Sequence, residues 1–120
     1  MSERNPLASA GPDKIYQKLV ELGCEWSEAH AAASMLEETQ KPLLARLTLG
    51  RMESRGTRTQ AETEALASVE YAEHIARMVE AKRAANTARV RYQSAQVWAE
   101  LLRTQAATRR AEMQLGHLAT

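Results

Sequence analysis

Three histidines, one cysteine and a group of C-terminal arginines are the residues of this 120-residue chain whose chemistry could serve a reaction or a ligand. His30, His74 and His117 are scattered, and no spacing between them suits a shared proton or metal ion. Glu70 and His74, four residues apart, would share one face of a helix and offer two metal ligands. A zinc site wants three or four, and no second pair with that spacing follows. They read as a solvated, salt-linked pair, and neither a metal nor a cofactor is expected. Cys24 has no neighbouring His to activate its thiol and reads as a small buried residue. No Gly-rich phosphate loop, nucleophile elbow or zinc-deaminase motif occurs, so the expectation is a protein that is not an enzyme.

Arg103, Arg109 and Arg110 carry the remaining chemistry. Guanidinium groups hold phosphates and carboxylates in a fixed fork geometry. Stacking of bases would need exposed aromatics nearby, and only Trp98 and Tyr92 are available. Two readings stay open: contact with nucleic acid or another partner, or a solvated Arg face.

The elements that must position these residues are helical. From Thr57 to Leu115 the chain runs 59 residues without Gly or Pro, rich in Ala, Glu, Arg, Gln and Met. The spacing predicts one long second helix. Before it, residues recur in steps of four and three at Ile15, Leu19, Leu22, Trp26, Ala29, Ala33, Leu36, Gln40, Leu43, Leu47 and Gly50. Such a seam faces one partner helix. It crosses Gly23 and Pro42, where bends or interruptions are expected, and Gly23 could separate a short first helix. Asp13 is a candidate N-cap, Gly56 suits a helix C′ position, and Thr59-Gln60-Ala61-Glu62 has the capping-box pattern. The expected fold is all-α: a long antiparallel helical hairpin, coiled-coil-like, completing a helical bundle by oligomerisation. Residues 1–12 would form a loose arm, and residues 13–120 the hairpin, with arms of about 13–55 and 59–115.

The second helix carries two apolar stripes. One runs Tyr71, Ile75, Met78, Lys82, Ala85, Ala88, Tyr92, Ala95, Ala99, Leu102, Ala106; the other includes Leu66, Val69, Ala76, Val79, Val90, Val97 and Leu101. A single partner covers one stripe, so self-association is expected, with a dimer favoured. Tyr16, Val90, Val97, Trp98, Leu101 and Leu102 are the candidate oligomer-interface residues. Trp26 lies on the seam and reads as core, while Trp98 lies just off it, with core and interface both open.

Folding back near Thr57 sets residue i across from about residue 114 − i, by antiparallel helix geometry. Glu25 then lies near Arg89, Glu37 and Glu38 near Arg77, Glu28 near Asn86 and Arg83, and Tyr16 across from Trp98. Leu102 to Leu115 are left with nothing opposite, an overhang of about 20 Å. Charge follows the same division: residues 1–75 carry 8 Lys/Arg against 12 Asp/Glu, and residues 76–120 carry 8 against 3.

Bulk is scarce. Of the 44% hydrophobic residues, 22 are Ala, and there is no Phe, which favours close helix packing over a thick core. The N-terminal stretch MSERNPLASAGPDK has no apolar core of the kind an export signal needs, and no apolar run approaches the length of a membrane span. No membrane partner is expected, and a lone cysteine fits a reducing compartment.

The segments YAEHIARMVEAKRAANTARVRY (71–92) and WAELLRTQAATRRAEM (98–113) resemble small helical accessory proteins of bacteriophages and prophages, which tend to be encoded among genes for recombination and replication. The resemblance covers about residues 60 to 115. It implies a setting and no catalytic motif: an accessory or adaptor protein in the cytoplasm of a bacterial cell or infected host, binding a protein partner in DNA metabolism or nucleic acid. A self-associating scaffold or connector protein is the alternative.

Overall fold

The computed structural model describes residues 11–54 and 56–119. The expected arm at 1–12 lies outside them except for Gly11 and Pro12. Four helices follow in order: α1 (Pro12–Glu38), α2 (Gln40–Ser54), α3 (Arg58–Leu66) and α4 (Val69–Ala119). No strand occurs among the described residues. The fold is all-α, with helix-hairpin packing of the coiled-coil kind. The chain divides into two compact units, Met1–Glu25 with Ala88–Thr120, and Trp26–Thr87.

Helix α1 begins two residues earlier than an Asp13 cap would set it. The Ile15 N–H donates to the Gly11 carbonyl at 3.1 Å, so Pro12 takes the first helical position, where its missing N–H costs nothing. Asp13 sits in the first turn and complements the helix dipole instead of capping it.

Gly23 does not interrupt α1. The Tyr92 ring lies against it: a Cβ built there would sit 3.4 Å from Tyr92 Cε2, at the short edge of ordinary contact, so a small residue fits here and a larger side chain would meet the ring. The interruption falls at Thr39, three residues before Pro42, which then occupies the first turn of α2. The Thr39 hydroxyl donates to the carbonyls of Met35 (2.8 Å), which also accepts the Thr39 N–H at 3.0 Å, and of Leu36 (3.3 Å).

The first-arm seam is real. Ile15, Leu19, Leu22, Trp26, Ala29, Ala33, Leu36, Gln40, Leu43 and Leu47 are all buried or half-buried, and only Gly50 at its end is exposed. Cys24 is exposed, contrary to expectation. In an unbroken helix it lies about 200° around from Leu22 and so points away from the seam.

The turn expected between 53 and 59 uses Gly56 at φ +62°, where a side chain would be strained. The cap is Thr57 rather than Thr59: its hydroxyl accepts from the Gln60 N–H at 3.3 Å. Thr57 and Gln60 have the same capping spacing as Thr59 and Glu62, two residues upstream. Helix α3 packs against α2 and buries Ala61 and Ala65 almost completely.

The expected single helix over 57–115 is two helices. They part at Ala67 and Ser68 with neither Gly nor Pro present. Ser68 is only 7% exposed. Its hydroxyl donates to the Ala65 carbonyl at 2.6 Å and accepts from the Tyr71 N–H at 3.2 Å, tying the end of α3 to the start of α4.

Along α4 the first stripe is the covered one. Tyr71, Ile75, Met78, Ala85, Ala88, Tyr92, Ala95, Ala99 and Leu102 are buried or half-buried, whereas Lys82 and Ala106 are exposed and Ala81 takes the place of Lys82. In the first unit, Ile15, Leu19, Tyr92 and Trp98 pack on Leu22 and Ala95.

The pairing is antiparallel within each unit, with an offset register. Glu25 meets Arg91 at 3.3 Å, two residues past Arg89, and Glu37 meets Lys82 in place of Arg77. Arg83 turns to Glu80 on its own helix instead of Glu28. The offset arises because the reversal is built from α2, α3 and two breaks instead of one loop. These exposed pairs each contribute little stability.

Replacing Ser68 by Ala removes both bonds at the α3–α4 junction. Urea unfolding should show a loss of about 1–2 kcal/mol; an unchanged midpoint would show that the hydroxyl does not hold the break.

Candidate partner-binding surface

The arginines singled out from sequence lie where α4 is bare. Every residue from 103 to 118 is exposed, and Leu102, at the root, is half-buried on the covered stripe. Arg103 and Arg110, seven residues apart, share a face, and Arg109 borders it at about 100°. Arg103 is held by Glu100 at 2.8 Å, an exposed i,i+3 pair. Arg109 and Arg110 make no ion pair among the described residues. Met113 (74% exposed) and Leu115 (66%) add apolar surface to the same segment. The arrangement suits a partner that offers anionic groups beside some apolar surface, and Arg109 and Arg110 are the guanidiniums with donors to spare.

The second stripe is uncovered. Val90, Val97 and Leu101 are exposed, as are Val69 and Val79 nearer the start of α4, and Leu66 in α3. Leu19 of α1 borders Val97, Leu101 and Thr104 in a shallow groove. Of the other candidate interface residues, Tyr16 is 69% exposed and Trp98 is half-buried against the Leu22–Ala95 cluster. Tyr16 is one position on from the seam residue Ile15 and so points outward, and it does not join Trp98 in that cluster. The Trp98 indole N–H is buried without a hydrogen-bond partner.

Glu70 and His74 do different work from the shared surface pair that their spacing suggests. Glu70 lies 3.8 Å from Arg51. His74 is 6% exposed, with Nε2 2.8 Å from the Leu36 carbonyl. A carbonyl only accepts, so this nitrogen carries the proton. The bond supplies a strong donor to a carbonyl stranded where α1 stops, alongside the longer one from Thr39. The sequence signal for this role was available: His74 lies three residues after Tyr71 and four before Met78, and so borders the inward stripe. Among the described residues no three His, Cys, Asp or Glu side chains converge as metal ligands, and no helix is long and apolar enough to cross a membrane.

Compared with protein-family models, curated proteins and solved structures, the chain matches none.

A His74→Leu variant keeps the volume but leaves the Leu36 carbonyl without its 2.8 Å donor. The expected cost is about 1–3 kcal/mol in chemical unfolding, with helical content retained under native conditions.

Proposed function

We propose that this chain is a non-enzymatic accessory or adaptor protein, phage-like in setting, that acts in DNA recombination or replication in the cytoplasm of a bacterial cell or infected host. It presents the C-terminal part of α4 to a protein partner or to nucleic acid. The observation that carries this reading is the complete exposure of residues 103–118 with Arg103, Arg109 and Arg110 gathered on adjoining faces. A helix projecting cations into water, with apolar side chains between them, has surface to offer and no packing use for it within one copy of the chain. The commitment of His74 to a helix end, and of Glu70 to Arg51, supports the non-enzymatic part of the reading.

A second reading, a self-associating scaffold or connector protein, is favoured by the uncovered stripe at Val90, Val97 and Leu101. Tyr16 and Trp98 would flank that contact between copies, whereas Leu102 belongs to the covered stripe on the other side of α4, and a dimer is the simplest product.

Binding of a short DNA or RNA oligonucleotide, followed against salt concentration, tests the first reading. Changing Arg103, Arg109 and Arg110 together to Ala should weaken binding and lower the slope of log K against log salt by about 2–3, given roughly 0.9 per phosphate contact on duplex DNA. For a protein partner, truncation at Ala99 should abolish capture of a DNA-metabolism protein while the first arm stays helical. Wild-type protein that shows neither salt-sensitive binding nor Ala99-dependent capture removes the proposal.

A further inference from the structure

The uncovered face of α4 continues farther than its valines suggest. From Val90, steps of four and three lead through Val97 and Leu101 to Leu115, a heptad seam on the side of the helix roughly opposite the covered stripe. Both Val97 (61% exposed) and Leu101 (50%) stand over the groove that Leu19 borders, so a helix laid there would extend packing already present in the first unit.

The seam is self-complementary about one point. When a second α4 is laid antiparallel with its two-fold axis midway between Leu102 and Arg103, Val90 falls against Leu115 of the second copy, Ser94 against Ala111, Val97 against Thr108, and Leu101 against Thr104. Three of these layers set a larger side chain against a smaller or equally branched one, and the fourth joins two small residues where the helices approach most closely. The Thr108 hydroxyl already donates to the Thr104 carbonyl at 3.0 Å, so burying it strands no donor.

Charge selects the antiparallel arrangement. It brings Glu112 of one copy beside Arg91 of the other, and Arg91 already lies beside Glu25. A parallel pairing would instead gather Arg103, Arg109 and Arg110 of both copies at one end and leave Arg91 with no new carboxylate. We infer that two copies of this chain pair through this face, α4 against α4 in antiparallel register centred between Leu102 and Arg103. The contact is isologous, as a two-fold dimer requires. It deepens the self-association reading, and it leaves Arg103, Arg109 and Arg110 outside the contact, free for the adaptor role.

Disulfide trapping tests the register, because bridged Cα atoms lie within about 7 Å. In a Cys24→Ser background, a Ser94→Cys variant mixed with an Ala111→Cys variant should cross-link to each other several-fold more than either does to itself. In the antiparallel register each introduced thiol lies about 25 Å from its own copy across the axis. Self-cross-linking of Ser94→Cys as efficient as the mixed product would overturn the inference in favour of a parallel dimer. A strict monomer by light scattering after size exclusion would overturn it outright. Leu101→Glu should convert the dimer to a monomer with unchanged circular dichroism, and a dimer that survives it also refutes the seam. Oligonucleotide binding by the wild type at low salt is scored separately, so a failed dimer does not count against the Arg-bearing arm.

Discussion

Low relief is the constraint from which the rest of this structure follows. The buried apolar residues are Leu22 and five alanines, Ala33, Ala61, Ala65, Ala85 and Ala95, and no large side chain is fully enclosed among the described residues. A buried methyl contributes on the order of 0.8 kcal/mol, well below what a buried Leu or Phe supplies. Alanine surfaces let helix backbones come close, and stability then accumulates from many short-range contacts spread along the helices. Half-buried Ile15, Leu19, Tyr92 and Trp98 add bulk around Leu22 and Ala95 in the first unit. In the second, α3 presses Ala61 and Ala65 into close contact with its surroundings.

Weak apolar contacts put weight on the backbone accounting at helix ends. Helices that stop within a packed unit strand carbonyls and N–H groups, and each stranded group costs about as much as several buried methyls gain. Side chains meet that need here. Thr39 and His74 serve the end of α1, Ser68 joins α3 to α4, and Thr57 caps α3. Gln40 Nε2 donates to the Tyr71 hydroxyl at 2.8 Å, fixing the start of α2 against α4 within the second unit. The polar residues of the second unit are therefore its fasteners.

Much of this was legible in the sequence because heptad spacing is a direct record of which face is covered. Ten of the eleven seam positions from Ile15 to Gly50, and most of the first α4 stripe, are buried or half-buried as the spacing requires. The breaks were harder. Gly23 drew attention as a helix breaker, yet glycine inside a helix weakens it only modestly, and here it lies against an aromatic ring. Ala67-Ser68 carries neither Gly nor Pro, and the interruption is held by a hydroxyl that serves both helix ends through local bonds three residues away on either side. Cys24 is exposed because the heptad spacing of Leu22 and Trp26 leaves it on another face of an unbroken helix. The candidate surface at Arg103, Arg109 and Arg110 was readable from charge, since residues 76–120 carry 8 Lys/Arg against 3 Asp/Glu.

The contact between Gly23 and Tyr92 has a consequence for alignment. Two helices can slide past each other by a turn, about 5.4 Å, where successive contact residues are alike, as Ile15, Leu19 and Leu22 are on α1. Tyr92 is a peg and Gly23 its notch. A slip of one turn along α1 would set the ring against Leu19 or Ser27, where a side chain already stands. The first unit thus carries a detent: its register is kept by the smallness of one residue, which resists slippage without adding any attraction.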